Sequence, residues 1–158
     1  MGIASAKAIA HGLGVPMVGV SSLDLGAFAV QHSTKQIVAC YDARRGEVFT
    51  ATYQSVPGGV QQISAPAVST PDELASDLVA SGAETLVVGD GGIRYREAFQ
   101  SIAGVELAGD GFAFPSARSL AQLAHPRALR EDFVSPEEIV PLYLRVPDAE
   151  INWSTRNG

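Results

Sequence analysis

The sequence predicts an α/β fold, and three stretches carry that expectation. Gln36 to Asp42 (QIVACYD) and Glu47 to Gln54 (EVFTATYQ) read as the two strands of a hairpin. Thr70 to Gly82 reads as a capped helix leading into a short buried strand, Glu84 to Val88 (ETLVV). Gly2 to Gln31 reads as two apolar helices joined by a tight link.

In the first helix Gly2, Ala6, Ala10 and Gly14 recur at intervals of four, with Ala4, Ala8 and Gly12 on a second such row. Rows of small residues at this spacing let another backbone come close, because the ridges and grooves of a helix follow it. Ile3, Ile9 and Leu13 supply larger apolar groups, and only Lys7 and His11 are strongly polar. Val15-Pro16 stops the helix, since proline removes a donor and holds the preceding residue extended. Met17 to Val20 has room only for a short strand. Ser21 then caps a second helix from about Ser22 to Gln31, with Asp24 favourably placed in its first turn. Leu23, Leu25, Ala27, Phe28 and Val30 make that helix apolar, and neither helix is long enough to be stable without packing.

The hairpin follows. Val48, Thr50 and Thr52 alternate with Phe49, Ala51 and Tyr53, the period-2 pattern of a strand. Ala43-Arg44-Arg45-Gly46 closes the turn, with glycine free to take positive φ. Val56-Pro57-Gly58-Gly59 makes a second turn, and Val60 to Ile63 forms a third antiparallel strand. Thr70-Pro71-Asp72-Glu73 is a capping box with proline at the first helical position. Gly89-Asp90-Gly91-Gly92 is expected as the loop after the next strand, followed by a helix over Tyr95 to Ser101 and a strand at Val105 to Leu107. Asp110 to Ser116 is expected as loop and Ala117 to Ala124 as helix, interrupted by Pro126. Ser135-Pro136-Glu137-Glu138 starts one helical turn, and PLYLRVPDA from Pro141 reads as extended. The divisions expected are a helix pair over 1–33, an α/β lobe over 34–151 and a loose tail over 152–158.

The 158 residues include 46% hydrophobic and 18% charged side chains, a balance that excludes disorder and calls for extensive burial. The net charge of −6, with no basic block, gives no broad electrostatic footprint for nucleic acid. Cys40 is the single cysteine, so an intrachain disulfide is impossible and a cytoplasmic setting fits best. No apolar run reaches the length of a membrane span, and the N-terminal helix lacks the layout of a signal peptide.

Few residues carry chemistry. Gly89 to Gly92 follows a strand and precedes a helix, where phosphates are held, but it has neither GxGxxG nor GxxxxGK[ST] and reads better as a plain turn. His11, His32 and His125 are far apart, with no HExxH or HxxxH spacing for a metal. No GxSxG elbow is present. Cys40, mid-strand between Ala39 and Tyr41, reads as a buried inert thiol. Asp42, Arg44, Arg45 and Glu47 concentrate charge at the hairpin tip, either as a solvated turn or as a polar contact with a partner or RNA. No catalytic, cofactor-binding or metal-binding residue emerges.

The succession ASAKAIAHGLGVPMVGVSSLDLGA, YDARRGEVFTATY, VVGDGGIRYREAF and PLYLRVPDAEINW resembles the TsaB family, also called YeaZ, over nearly the whole chain and in order. The resemblance implies a ribonuclease-H-like lobe of the actin/Hsp70 ATPase type, with a mixed sheet and flanking helices. It also implies that the first lobe is reduced here to two helices, since family members carry ILALDTS and GPGSFTGLR segments ahead of the first one. Such proteins are non-catalytic dimerisation subunits. They pair with the transferase TsaD and, with the ATPase TsaE, support formation of N6-threonylcarbamoyladenosine in tRNA, which they meet only indirectly. Their helices form half of a bundle with TsaD, or with a second copy when TsaD is absent. On that basis Ala4, Ala6, Lys7, Ala8, Ala10, His11, Leu23, Ala27 and Val30 are expected at the partner interface, with Arg44 and Arg45 as a further polar contact. A glycoprotease-like peptidase and a nucleotide-binding module are the alternative functions.

Overall fold

The structure is a computed structural model and describes residues 2–141, so the expectations for 142–149 and for the tail 152–158 lie outside the described residues. Its centre is one six-stranded mixed sheet. Strand β1 (Gln36–Arg44) pairs antiparallel with β2 (Glu47–Val56), Ile37 opposite Tyr53 and Ala39 opposite Ala51. β2 continues antiparallel into β3 (Gly59–Gln62) and, nearer its start, into β4 (Ala67–Ser69). On its other side β1 runs parallel to β5 (Thr85–Val88), which runs parallel to β6 (Val105–Leu107). The order is β3-β2-β1-β5-β6, with β4 beside β2.

Alternation along the strands gives the sheet two buried faces. Ile37, Ala39, Ala51, Tyr53 and Val88 point to one face and meet Leu23 and Ala27 of helix α2 (Ser22–Ala29). Val38, Cys40, Val48 and Val87 point to the other and meet Leu74 and Leu78 of α3 (Pro71–Ser81) and Phe99 of α5 (Arg96–Phe99). Burying each large apolar side chain stabilises the fold by about 1.5–3 kcal/mol. α2 also meets α6 (Ala117–Leu129), so it is enclosed: Leu23, Leu25, Gly26, Ala27 and Phe28 are all buried. The core is therefore continuous across residue 33, and the expected division into a separate helix pair and lobe cuts through it.

The capped helix is as expected. The Thr70 hydroxyl accepts from Glu73 N at 3.2 Å, the Glu73 carboxylate accepts from Thr70 N at 2.8 Å, and Gly82 closes the end at φ 61°. At the hairpin Gly46 takes φ 77°, and so, unexpectedly, do Arg44 and Arg45 adopt left-handed geometry, at 63° and 55°. Such geometry costs about 1–2 kcal/mol for each side-chain-bearing residue. A register shift lies between Asp42 and Arg44, and the Asp42 carboxylate accepts from Arg44 N at 3.2 Å, which offsets part of that cost.

Several expectations need correction. The Gly89–Gly92 stretch is not a loop: α4 (Asp90–Arg94) begins inside it, and the helix expected over Tyr95 to Ser101 is only the four-residue α5. α6 does not stop at Ala124 but runs through Pro126. Proline there lacks only the N–H that would reach back to Gln122, and the last turn closes on later donors, Arg130 N to Pro126 O and Asp132 N to Arg127 O. Asp110–Phe112 forms a single 3-10 turn, and Met17 to Val20 contributes one bridge rather than a strand. β4 is a strand that the sequence pattern does not announce.

The glycines after β5 are there for contact. A Cβ at Gly91 would lie 2.9 Å from the Cys40 carbonyl oxygen, one at Gly92 would lie 2.8 Å from Val87 Cγ1, and one at Gly89 would overlap the Cys40 carbonyl outright. Gly89 also sits at φ 117°, which L side chains rarely adopt. Gly89→Ala should therefore destabilise the protein by about 3 kcal/mol, from steric overlap and backbone strain together. Thr70→Ala should lose only about 1 kcal/mol, for one cap. Urea unfolding of both variants checks the ranking.

Candidate functional site

Helix α1 (Gly2–Leu13) lies apart from this layered body: among its residues only Ala10 is buried. Neither of the two covered sheet faces receives it. Ile9 is 63% exposed and Leu13 71%, with Ile3 and Val15 also open. Gly2, Ala6, Ile9 and Leu13 follow a 4-3-4 spacing and so share one face of the helix. That face combines two small residues with two large apolar ones and turns outward.

The expected interface residues divide on this geometry. Ala4, Ala6 and Ala8 are exposed on α1, whereas Ala10 faces the body. Lys7 donates from Nζ to Ile139 O at 2.8 Å, and His11 Nδ1 lies 3.2 Å from a Glu137 carboxylate oxygen, so both side chains have partners within the chain. Leu23 and Ala27 must be withdrawn from a partner surface. Ala27 is 0% exposed and Leu23 nearly so, because α2 packs its apolar side chains onto the sheet. Val30 is half-buried against the same cluster. Ile9 and Leu13 stand outside the expected set, although their i, i+4 spacing places both on the same exposed face.

Arg44 and Arg45 stand at the exposed hairpin tip, beside a polar cluster at the C-terminal ends of β1 and β5. Asp42 N donates to Asp90 Oδ1 at 3.0 Å. The Asp42 carboxylate accepts from Tyr95 Oη at 3.1 Å and faces Arg94 Nη1 at 3.3 Å. Burial, then the Asp42 contact, pushes the Tyr95 hydroxyl up from its ordinary range. Each of these groups is engaged with another, and the cluster ties α4 and α5 to the hairpin. Cys40 lies beneath it, and burial, followed by the Asp90 and Asp42 charges, pushes its thiol up to about 12. It is a core group, as expected. Among the described residues no three histidine, cysteine, aspartate or glutamate side chains gather as a metal set, and no helix is long and apolar enough to cross a membrane.

Comparison with known proteins places this architecture. The family model described as TsaD, tRNA N6-adenosine threonylcarbamoyltransferase, matches residues 1–153. The chain belongs to that family. Within it, the likeness is to TsaB, or YeaZ. The Bacillus subtilis tRNA threonylcarbamoyladenosine biosynthesis protein TsaB is 28% identical over 166 residues, covering 97% of this chain and 66% of that protein. Its Haemophilus influenzae namesake is 28% identical over 170 residues, covering 100% and 67%. The solved YeaZ of Pseudomonas aeruginosa superposes with a TM-score of 0.74 at 26% identity, covering 90% of this chain and 66% of that one. The chain thus spans about two thirds of the length of these relatives. The mixed sheet with helices on both faces is the actin-like layer of this family.

The buried hydroxyl and thiol make stability fall in alkali. Cys40 rises from 9.0 to about 12, and Tyr41, half-buried with its hydroxyl enclosed beneath α2, from 10.0 to about 12. Each stays neutral in the folded chain while its unfolded counterpart ionises. Their contribution is therefore complete below pH 9 and is lost as pH climbs from there toward 12. Urea midpoints should be flat between pH 7 and 8.5 and drop steadily above pH 9.5, and Cys40→Ala should delay the onset.

Proposed function

We propose that this chain is a non-catalytic dimerisation subunit that pairs with a TsaD-like protein in N6-threonylcarbamoyladenosine modification of tRNA. One observation carries the reading: α1 holds its Gly2, Ala6, Ile9 and Leu13 face in solvent, with both large residues more than 60% exposed. A free helix of 12 residues has little stability of its own in water, so an apolar face left open by the fold is one that another helix can cover. The small residues at Gly2 and Ala6 allow the close approach, and Ile9 and Leu13 supply the anchors. An interface of standard size buries about 800 Å² on each partner.

In the absence of a TsaD-like protein, a second copy of the chain would use the same face. A TsaE-like ATPase and tRNA would be met through the complex, in the cytoplasm, and Arg44 and Arg45 would offer a polar contact at the hairpin tip. The family resemblance and the relatives' role in tRNA threonylcarbamoyladenosine biosynthesis support this reading. A nucleotide site at Gly89 to Gly92 has less support, because those glycines are occupied in packing against Cys40 and Val87.

Ala6→Glu and Ile9→Glu should each weaken association with a TsaD-like protein more than tenfold, the range of an interface hot spot of about 2 kcal/mol. Circular dichroism and the urea midpoint should stay near wild type, since both side chains point away from the core. Calorimetric titration measures the first and equilibrium unfolding the second. Wild-type affinity in both variants would contradict the assignment.

A further inference from the structure

α1 makes little contact with the sheet layers, yet it has a defined position, and what holds it is a distant piece of the same chain. Beyond α6 the chain turns back over 133–139 and lies along the helix and its exit. Met17 N donates to Val134 O at 3.0 Å and Val134 N returns a bond to Met17 O at 2.9 Å. Lys7 reaches across 132 positions of sequence to the Ile139 carbonyl at 2.8 Å. His11 faces Glu137 at 3.2 Å, and a Cβ at Gly19 would touch the Ile139 side chain at 3.9 Å. Arg127, at the end of α6, donates from Nη1 to Gly19 O at 2.9 Å. Local bonds shape the strap: Ser135 N donates to the Glu138 carboxylate at 3.0 Å, and Glu138 N to Ser135 O at 3.1 Å.

We infer that residues 133–139 form a positioning strap that fixes α1 against the body with its Gly2, Ala6, Ile9 and Leu13 face outward, and so preorganises the docking helix. The inference rests on the dimerisation reading for its purpose, but the strap itself is a property of the free chain. The reciprocal Met17–Val134 bridge pins the exit of α1, and the Lys7 bond to Ile139 pins its middle. The exposed His11–Glu137 pair adds little, being screened by solvent. A helix held this way gives up less conformational freedom on association than one swinging on the 14–20 link, which is the energetic advantage of preorganisation. Loosening the strap therefore weakens partner binding without touching the docking face.

The test is amide hydrogen–deuterium exchange on the dilute full chain, comparing wild type with Val134→Pro and Lys7→Met. Val134→Pro removes the donor to Met17 O, and Lys7→Met removes the donor to Ile139 O while keeping a long apolar stem. Exchange across 4–20 should rise about fivefold for each bond lost, the usual effect of one intramolecular hydrogen bond. Amides of β1 and β5 should keep their wild-type rates. Unchanged exchange across 4–20 in both variants overturns the strap. Should Val134→Pro also accelerate β1, Lys7→Met decides alone: faster α1 exchange supports the strap and unchanged exchange overturns it. Self-association by light scattering is read separately. Loosened α1 with no self-association in wild type supports the strap and removes its purpose, whereas intact association with unchanged exchange leaves the docking face and removes the strap.

Discussion

One sheet has two faces, and in this protein both are taken. α2 covers the side of Ile37, Ala39 and Tyr53, while α3 and α5 cover the side of Val38, Cys40 and Val87. α1 is the helix for which no face remains. Its apolar content is close to that of α2, but α2 is enclosed by the sheet and α6 whereas α1 buries only Ala10. The exposed apolar face of α1 follows from that shortage of surface. A fold that keeps Ile9 and Leu13 in water retains an unfavourable exposure that association with another helix would remove.

The body beneath is held by close contacts. Gly89 and Gly91 are pressed so closely on the Cys40 carbonyl, and Gly92 on Val87, that none has space for a side chain, and the same closeness brings Asp90 to the Asp42 amide. Asp42 in turn collects Tyr95, Arg94 and the Arg44 amide. This is the edge where an α/β sheet commonly binds ligands, at the carboxyl ends of its parallel strands. Here its polar groups are spent on one another, and they stiffen the strained Arg44-Arg45 turn.

Local signals were legible in the sequence, and those that depend on tertiary context were not. The hairpin, the Thr70 capping box, Gly82 and the buried Cys40 are written in alternation, short-range hydrogen bonding and β propensity, so residues a few positions apart suffice. β4 carries no signal in the sequence because Ala67, Val68 and Ser69 are too few to show a period. Gly89 to Gly92 looked like a loop because glycine weakens helices, and only the nearness of Cys40 explains why helix α4 begins there. The two opening helices show the limit most clearly. Leu23 and Ile9 are equivalent as apolar positions on short helices, and nothing within either helix says which one meets the sheet. The return of 133–139 to α1 is invisible in the sequence for the same reason, being a contact between segments more than a hundred positions apart.

The most direct test of the central claim is hydrogen–deuterium exchange of this chain with and without a TsaD-like protein at saturating concentration. Protection confined to Gly2–Leu13 and its immediate surroundings is the result expected of a docking helix. Binding that protects another surface, with α1 exchanging as fast as in the free chain, would contradict it.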